Sequence, residues 1–501
     1  MATPGDHAQP AQHAPTTYRR PTANRPHHLP PRRHQPPPPP AAAQPPTSAL
    51  SRFPARPHQA GRTGPTGPIT TELASRRHRR TDVPPPKGPE VMTETANAPA
   101  KAAFPDTRPA GCPFDPAAEY QELRETAPVS QVSCPVGVDA WLVTRYEDVR
   151  SVLADPRLSS RAASPSNHVN TEADLDAPAA PGSILHHDGP EHSRLRRLLT
   201  PEFTVKRIQA MRPYIADLVD QHIDKMLEGT EADLYHDFGL PIPSLVICEL
   251  LGVPYADREM FQAASGVLLK VDITQEQRLA ASGQVQGYMA QLVMAKMANP
   301  TDEDLLGRLI QRATAGGTPL TIEELVTLGI SLLIAGHETT ANMIALSAAA
   351  LLQHPDRLAE LRADASIAPA AVEEMLRYLS VVQFGVFRRV VEDLPIGEQV
   401  FKEGEFVIAA LSSGNRQESV FGNPDEIDFG RNASAHLTFG YGAHQCLGQQ
   451  LARVELQEVF ARLYTRIPTL RLAIPFENIE FKHDALVYGV RSLPVTWDAQ
   501  A

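Results

Sequence analysis

Residues 439 to 448 read Phe-Gly-Tyr-Gly-Ala-His-Gln-Cys-Leu-Gly, a glycine-rich loop running into the amphipathic pattern of Leu451, Val454, Leu456, Val459 and Phe460. Cys446 is therefore placed at a helix N-terminus. Unpaired backbone N–H groups and the positive end of the helix dipole favour thiolate there, and thiolate is the form that ligates a metal. The glycines, lacking Cβ, let backbone approach a flat ligand closely. A second stretch, Gly336-His337-Glu338-Thr339-Thr340, sets an acid and two hydroxyls into the middle of an apolar helix. Polar groups buried there need partners or a purpose.

Two other chemistries fail on spacing. A zinc-protease helix needs a second His one turn after His337, and position 341 is Ala. A dinucleotide loop at Gly440-Tyr441-Gly442 needs a third Gly where Gln445 stands. His186-His187 and His27-His28 have no third ligand at regular spacing and read as loop residues.

The elements that must position these groups are mostly helical. Thr321 and Glu324 have capping-box spacing, and Leu325, Leu328, Leu332, Ala335, Thr339, Met343 and Leu346 then recur at threes and fours. Ile330, Leu333 and Ile334 make other faces apolar too, so the helix from 321 to 352 is buried and, at ~1.5 Å per residue, crosses the domain. Further helical stretches are read over 190–228, 255–298, 355–363, 369–379 and 447–465. Trp141 to Thr144, Phe406 to Leu411 and Pro494 to Trp497 read as strands, and Thr144 with Glu147 predicts a second capping box. This is a mostly α, α+β domain rather than repeated βαβ units.

Composition bounds the rest. Of the 48 prolines in 501 residues, 22 fall in residues 1–91, which carry 13 Lys and Arg against 4 Asp and Glu. Such a segment cannot bury enough apolar surface to offset its ordering entropy, so it is expected to be a disordered extension, with Met92 a candidate functional start and 92–501 the folded domain. Its Pro content opposes the amphipathic helix of a transit peptide. Because the extension is basic and the whole chain is at −11, the folded part is strongly acidic, which argues against general nucleic-acid binding. Four cysteines without close pairing do not form a disulfide framework and suggest a reducing compartment. No signal peptide or membrane span is read, so a soluble, cytoplasmic protein is expected.

Four separated motifs resemble the cytochrome P-450 family of haem-thiolate monooxygenases, and the resemblance covers roughly residues 110 to 501, with the wording of 140–160 and 383–393 most like soluble actinomycete members. The family's Phe-Gly-x-Gly-x-His-x-Cys-x-Gly loop is matched at Phe439, Gly440, Gly442, His444, Cys446 and Gly448. Its central-helix motif is matched by Ala335-Gly336-His337-Glu338-Thr339-Thr340, its Glu-x-x-Arg pair by Glu374 and Arg377, with Arg431 completing the cluster. The fourth match is His192-Ser193-Arg194-Leu195-Arg196. Asn415-Arg416-Gln417-Glu418 departs from the family's Asn-Arg-Asp-Pro, and Ile427 replaces a commoner aromatic or Leu, which bears on local packing and not on the chemistry.

The resemblance implies a triangular helical domain with small β-sheets and a buried haem b. Cys446 is then the axial iron ligand, His444, His192, Arg196 and Arg388 meet the propionates, and Phe439 and Gly440 belong to the haem-binding loop. Thr339 and Glu338 are the catalytic acid–alcohol pair. Leu332, Ala335, Val382, Phe384 and Val487 fall in substrate-lining segments. The implied reaction hydroxylates or epoxidises a bulky apolar molecule of steroid, macrolide, terpenoid or xenobiotic class with O2. Two electrons come from a ferredoxin and its NAD(P)H-dependent reductase, since the chain has no flavin or nucleotide motif, and a monomer is expected. The basic helix at 192–207, with Arg194, Arg197, Lys206 and Arg207, is the expected dock. A haem-binding sensor and a peroxide-driven haem enzyme remain alternatives; Glu338 and Thr339 weigh against both, since neither needs an acid–alcohol relay.

Overall fold

Thr321 opens the longest helix through a complete capping box: its hydroxyl accepts from the Glu324 N–H at 3.1 Å while the Glu324 carboxylate accepts from the Thr321 N–H at 2.8 Å. The computed structural model describes residues 101–499 apart from 110, 135–137, 162–177 and 315–319, so the expected extension over 1–91 lies outside the described residues. The main helices are α1 (Glu119–Thr126), α2 (Tyr146–Ala154), α3 (Gly189–Leu199), α4 (Val205–Met226), α5 (Pro241–Leu251) and α6 (Arg258–Leu268). They continue with α7 (Gln275–Ala298), α8 (Leu305–Thr314), α9 (Ile322–Gln353), α10 (Pro355–Ala363), α11 (Ala368–Leu379) and α12 (Gln449–Arg466).

Helix α9 packs against α5 and α7, and α12 lies along α4 and α11. The core follows from that arrangement, since residues 340 to 351 of α9 are all buried. The strands are β1 (Ala102–Ala103), β2 (Val129–Ser133), β3 (Asp139–Val143), β4 (Leu158–Ser159), β5 (Glu231–Asp233) and β6 (Val386–Val390). After them come β7 (Leu394–Ile396), β8 (Gln399–Phe401), β9 (Phe406–Ala409), β10 (Arg471–Leu472) and β11 (Pro494–Thr496). Six of them form one mixed sheet in the order β1-β2-β3-β9-β6-β4, in which Arg388 of β6 pairs with Val407 of β9. A second sheet runs β10-β11-β5, and β7 pairs with β8.

Several boundaries differ from the sequence expectation. The stretch 190–228 breaks at residues 200–204, where Pro201 opens a 3-10 turn and buried Glu202 is held by Arg207, Arg308 and Arg312. The stretch 255–298 breaks between α6 and α7, because that connection bonds to the C-terminal hairpin instead: Val271 N–H donates to Asp484 O at 2.9 Å and Leu486 N–H to Leu269 O at 2.8 Å. Helix α5 was not expected; Pro241 and Pro243 occupy its first turn, where N–H groups lack helical partners anyway. Thr144 forms no cap, since its hydroxyl donates to Pro128 O and Arg145 is the N-cap of α2. Among the described residues no helix is long and apolar enough to cross a membrane.

Candidate active site

On α9, buried on nearly every other side, Ala335 is exposed and Leu332 and Thr339 are half-buried. Spaced by three and four, they form one stripe, so the middle of the helix faces a hollow. Gly336 does not make this hollow. A Cβ there would come 2.7 Å from the Ile247 side chain, so the missing side chain serves the close packing of α5 on α9, and the helix runs unbroken through it. The Thr339 hydroxyl donates to Ala335 O at 2.8 Å.

Glu338 lies on a different face and is buried. Its Oε2 accepts from Asn342 Nδ2 at 3.1 Å and from the Tyr235 hydroxyl at 3.4 Å, and Lys482 Nζ lies 4.0 Å away. His337 is fully buried, with Nδ1 turned to Leu333 O and Nε2 without a hydrogen-bond partner. Among the described residues no group of three or more His, Cys, Asp and Glu could hold a metal ion.

The cysteine loop is closed by Cys446 N–H donating to Phe439 O at 2.8 Å. Gly440 and Gly442 have φ of 69° and 75°, the left-handed region that L side chains rarely adopt. A Cβ on Gly442 would also strike Leu153 O at 2.6 Å, whereas at Gly440 it would meet nothing within 4 Å. Phe439 is held under the Arg453 guanidinium, 4.5 Å from its ring centre, and Arg453 is fixed by two bonds to Glu373. Burial pushes the Cys446 thiol up; the Gly448 and Gln449 N–H groups and the Arg196 and Arg453 charges oppose that without overcoming it.

Beside this loop the two imidazoles of His192 and His444 lie with centroids 4.0 Å apart. His444 Nε2 is 3.1 Å from Asp188 Oδ1 and 3.2 Å from Ser160 Oγ. Burial would raise the Asp188 carboxyl, but bonds from His444, Ser159 and Ser160 outweigh it and hold the group well below the usual carboxylate range. His192 is pushed down to about 4 by burial and then by His444 and Arg196, and its Nε2 has no partner. Arg388 is buried with a single hydrogen bond, to Phe387 O at 2.8 Å, and is pushed down to about 10 by burial. Arg196, half-buried near Cys446, forms no ion pair among the described residues.

His192 Nε2 without a partner and Arg196 and Arg388 without a carboxylate hydrogen bond among the described residues, beside one thiol and a glycine that leaves open space, are what a flat group with a soft metal centre and carboxylates at its edge requires. The donor set fits haem. Glu374 accepts from Arg377 at 2.7 Å, as the spacing predicted, and from Arg431 at 2.9 Å, as the resemblance implied. Beside the departure at Gln417-Glu418, Arg416 pairs with Asp425 at 2.7 Å and Asp115 at 3.1 Å, while Gln417 Oε1 is buried without a partner among the described residues.

The expected lining residues divide. Val382 and Val487 meet in an antiparallel bridge. Phe384 lines a cavity of about 750 Å³ with Phe104, Phe387, Phe476 and Phe481, whereas Val487 lines a separate one of about 520 Å³ with Glu338. Leu332 and Ala335 line neither of these cavities. The expected dock is thinned: Arg194 pairs with Glu191 and Glu324, and Arg207 with Glu202, leaving Arg197 and Lys206 exposed. Asp188, Ser160, Arg453, Tyr235, Asn342 and Lys482 were missed by sequence reasoning. Asp188 carried a signal, as the polar residue before Gly189-Pro190 at a helix start; the others carried none.

The family model described as cytochrome P-450 matches residues 260–466. The chain is 46% identical over 409 residues to cytochrome P-450-SU2 of Streptomyces griseolus, covering 81% of this chain and all of that protein. It is 43% identical over 414 residues to the vitamin D3 dihydroxylase of the same species, with the same coverage. The crystal structure of CYP105P1 in complex with filipin I superposes with a TM-score of 0.75 at 40% identity, over 80% of this chain and all of that one. With relatives this similar along their whole length, the chain belongs to the cytochrome P-450 family of haem b-dependent monooxygenases.

Proposed function

We propose that this monooxygenase hydroxylates or epoxidises a bulky apolar molecule, with electrons from a ferredoxin and its NAD(P)H-dependent reductase. The observation that carries the reading is the stripe of Leu332, Ala335 and Thr339, which opens an apolar face with one hydroxyl toward the hollow while Glu338 is held behind it. A relative named for dihydroxylating vitamin D3 and a neighbour solved with filipin I point to the same size class.

In this reading Cys446 would ligate the haem iron, His192, His444, Arg196 and Arg388 would bind its carboxylates, and Phe439 and Gly440 would belong to the loop that holds it. The haem, when bound, supplies oxygen activation, to which a thiolate ligand contributes electron density. The protein's part is to exclude water with α9, to orient the guest against Leu332, Ala335, Val382, Phe384 and Val487, and to hold protons at Thr339 Oγ1 and the Glu338 carboxylate. Residues 92–501 are the catalytic domain and residues 1–91 a dispensable extension. Four free cysteines agree with a reducing, cytoplasmic setting.

The test is a panel of steroids, macrolides and terpenoids titrated while the haem spin state is followed, then turned over with a ferredoxin and its reductase. A spin shift with oxygenated product establishes the class. A panel that neither shifts the spin state nor yields product overturns it.

A further inference from the structure

Glu338 needs a source of protons, and the structure supplies one from an element with no counterpart in the sequence motif. The C-terminal hairpin, bridged at Phe481 and Val490 and closed by Lys482 N–H donating to Gly489 O at 2.8 Å, presses onto α9 at Asn342. Gly489 permits this, since a Cβ there would lie 1.8 Å from Asn342 Oδ1. The hairpin delivers the Lys482 ammonium into a nearly closed setting, with 17% of its side chain exposed. Its Nζ donates to the Tyr235 hydroxyl at 2.7 Å and to Asn342 Oδ1 at 3.0 Å. Tyr235 in turn donates to Glu338 Oε2 at 3.4 Å, so an unbroken donor chain runs from Lys482 through Tyr235 to Glu338.

The outer side of this chain opens toward solvent. Tyr235, Lys482 and Glu338 line the cavity of about 520 Å³ together with His236, Glu259 and Asp484, and both His236 and Glu259 are exposed at its rim. Burial lowers the Lys482 ammonium from its ordinary value; Arg491 acts in the same sense, and Glu338 and Asp484 oppose it. Burial raises the Tyr235 phenol far above its ordinary value, so this hydroxyl can pass a proton along without resting as phenolate.

We propose that Lys482, through the Tyr235 hydroxyl and beside the Asn342 amide, is the port by which solvent protons reach Glu338. The step balances. The Lys482 ammonium gives one proton to the Tyr235 oxygen as the Tyr235 O–H proton passes to the Glu338 carboxylate, and the neutral amine then takes a proton from hydronium or buffer in the cavity. Lys482 and Tyr235 act through Glu338 and are positioning residues. The inference rests on Glu338 being the acid of the relay, and the test separates the two.

Haem-loaded protein is compared with Lys482→Met, Lys482→Arg, Tyr235→Phe and Glu338→Gln, using a plant-type ferredoxin and its reductase to drive oxygen consumption in H2O and D2O. Lys482→Met and Tyr235→Phe should slow it about tenfold or more with an enlarged solvent isotope effect. Lys482→Arg should not rescue it, because guanidinium keeps its proton at any working pH. A readout independent of turnover is the 13Cε resonance of Lys482, identified by its absence in Lys482→Met, which should titrate below the exposed lysines. Full rescue by Arg, unchanged rates in Met and Phe, or a Lys482 that titrates with the exposed lysines overturns the port. If Glu338→Gln alone is without effect, the relay reading falls first and the port with it.

Discussion

The hydroxyl of Thr339 donates to the carbonyl of Ala335 at 2.8 Å, one turn back along α9 and on the stripe that faces the hollow. A hydroxyl bonded in this way leaves its oxygen lone pairs free to accept from a guest, while the helix keeps its own ladder. Thr339→Ala should therefore fold normally and uncouple the enzyme. Reductant and O2 consumption continue, peroxide accumulates, and product per reductant falls by about 10²-fold. Product and peroxide are measured together on a confirmed substrate; full coupling in the variant would remove Thr339 from the relay.

Cys446→Ser should abolish the red-shifted absorption of the reduced carbonyl complex, because serine cannot give a thiolate's electron donation. Burial pushes the Cys134 thiol up to about 11 and the Cys248 thiol up to about 12, so both stay protonated. Their Ser variants, and Cys112→Ser, should keep the parent spectrum. A thiolate-type spectrum in Cys446→Ser would refute the assignment.

Arg388 is a buried cation with no carboxylate hydrogen-bonded to it. Met in its place removes a desolvated charge from the haem-free protein and a donor from the haem-loaded one. Arg388→Met should raise the thermal midpoint without haem and speed haem transfer to apomyoglobin about tenfold, which is ~1.4 kcal/mol of lost affinity. Opposite signs in the two forms are the signature; a fall in both would mean that Arg388 serves packing alone.

Glu455 on α12 is buried, and its Oε2 has no partner, so burial raises its carboxyl well above the ordinary 4.5. The folded state then holds a proton that the unfolded chain has released, and the stability this carboxyl confers is lost as pH rises from about 4.5 through the raised value. Glu455→Gln should flatten that decline by up to ~1.4 kcal/mol per pH unit, gaining on the parent from pH 5 to pH 8. Thermal midpoints across that range check it, and parallel profiles would show a charged Glu455.

Arg197 and Lys206 remain exposed, without ion pairs among the described residues, after Arg194 and Arg207 are taken up by carboxylates. Arg197→Glu should slow reduction by an acidic ferredoxin by roughly two- to tenfold at low salt, with the difference vanishing as salt screens it. An unchanged rate at every ionic strength would return Arg197 to a solvated surface role.

Much of the site was legible because its residues lie close together in the chain. The loop from Phe439 to Gly448, the box of Thr321 and Glu324 and the pair of Glu374 and Arg377 each carry their geometry in short spacing. What could not be read were partners chosen by tertiary contact. Lys482 meets Asn342 across 140 residues, and Arg453 meets Glu373 across 80. The break between α6 and α7 carried a local signal, since Val271, Asp272, Ile273 and Thr274 are weak helix formers and Thr274 caps α7 with Gln277; what tertiary contact adds is where the connection lies, through backbone bonds with residues 484 and 486. The role of Gly336 is of the same kind: sequence gives the missing side chain but not the neighbour, Ile247, that fills its place.

Those bonds at residues 269 and 271 mean that the connection between α6 and α7 and the hairpin carrying Lys482 and Val487 cannot be displaced independently. Any displacement of the connection must either break the pair or drag the hairpin, and with it the ammonium beside Glu338. Two segments more than two hundred residues apart in the chain thus share one mechanical linkage, and the setting of the acid is tied to both.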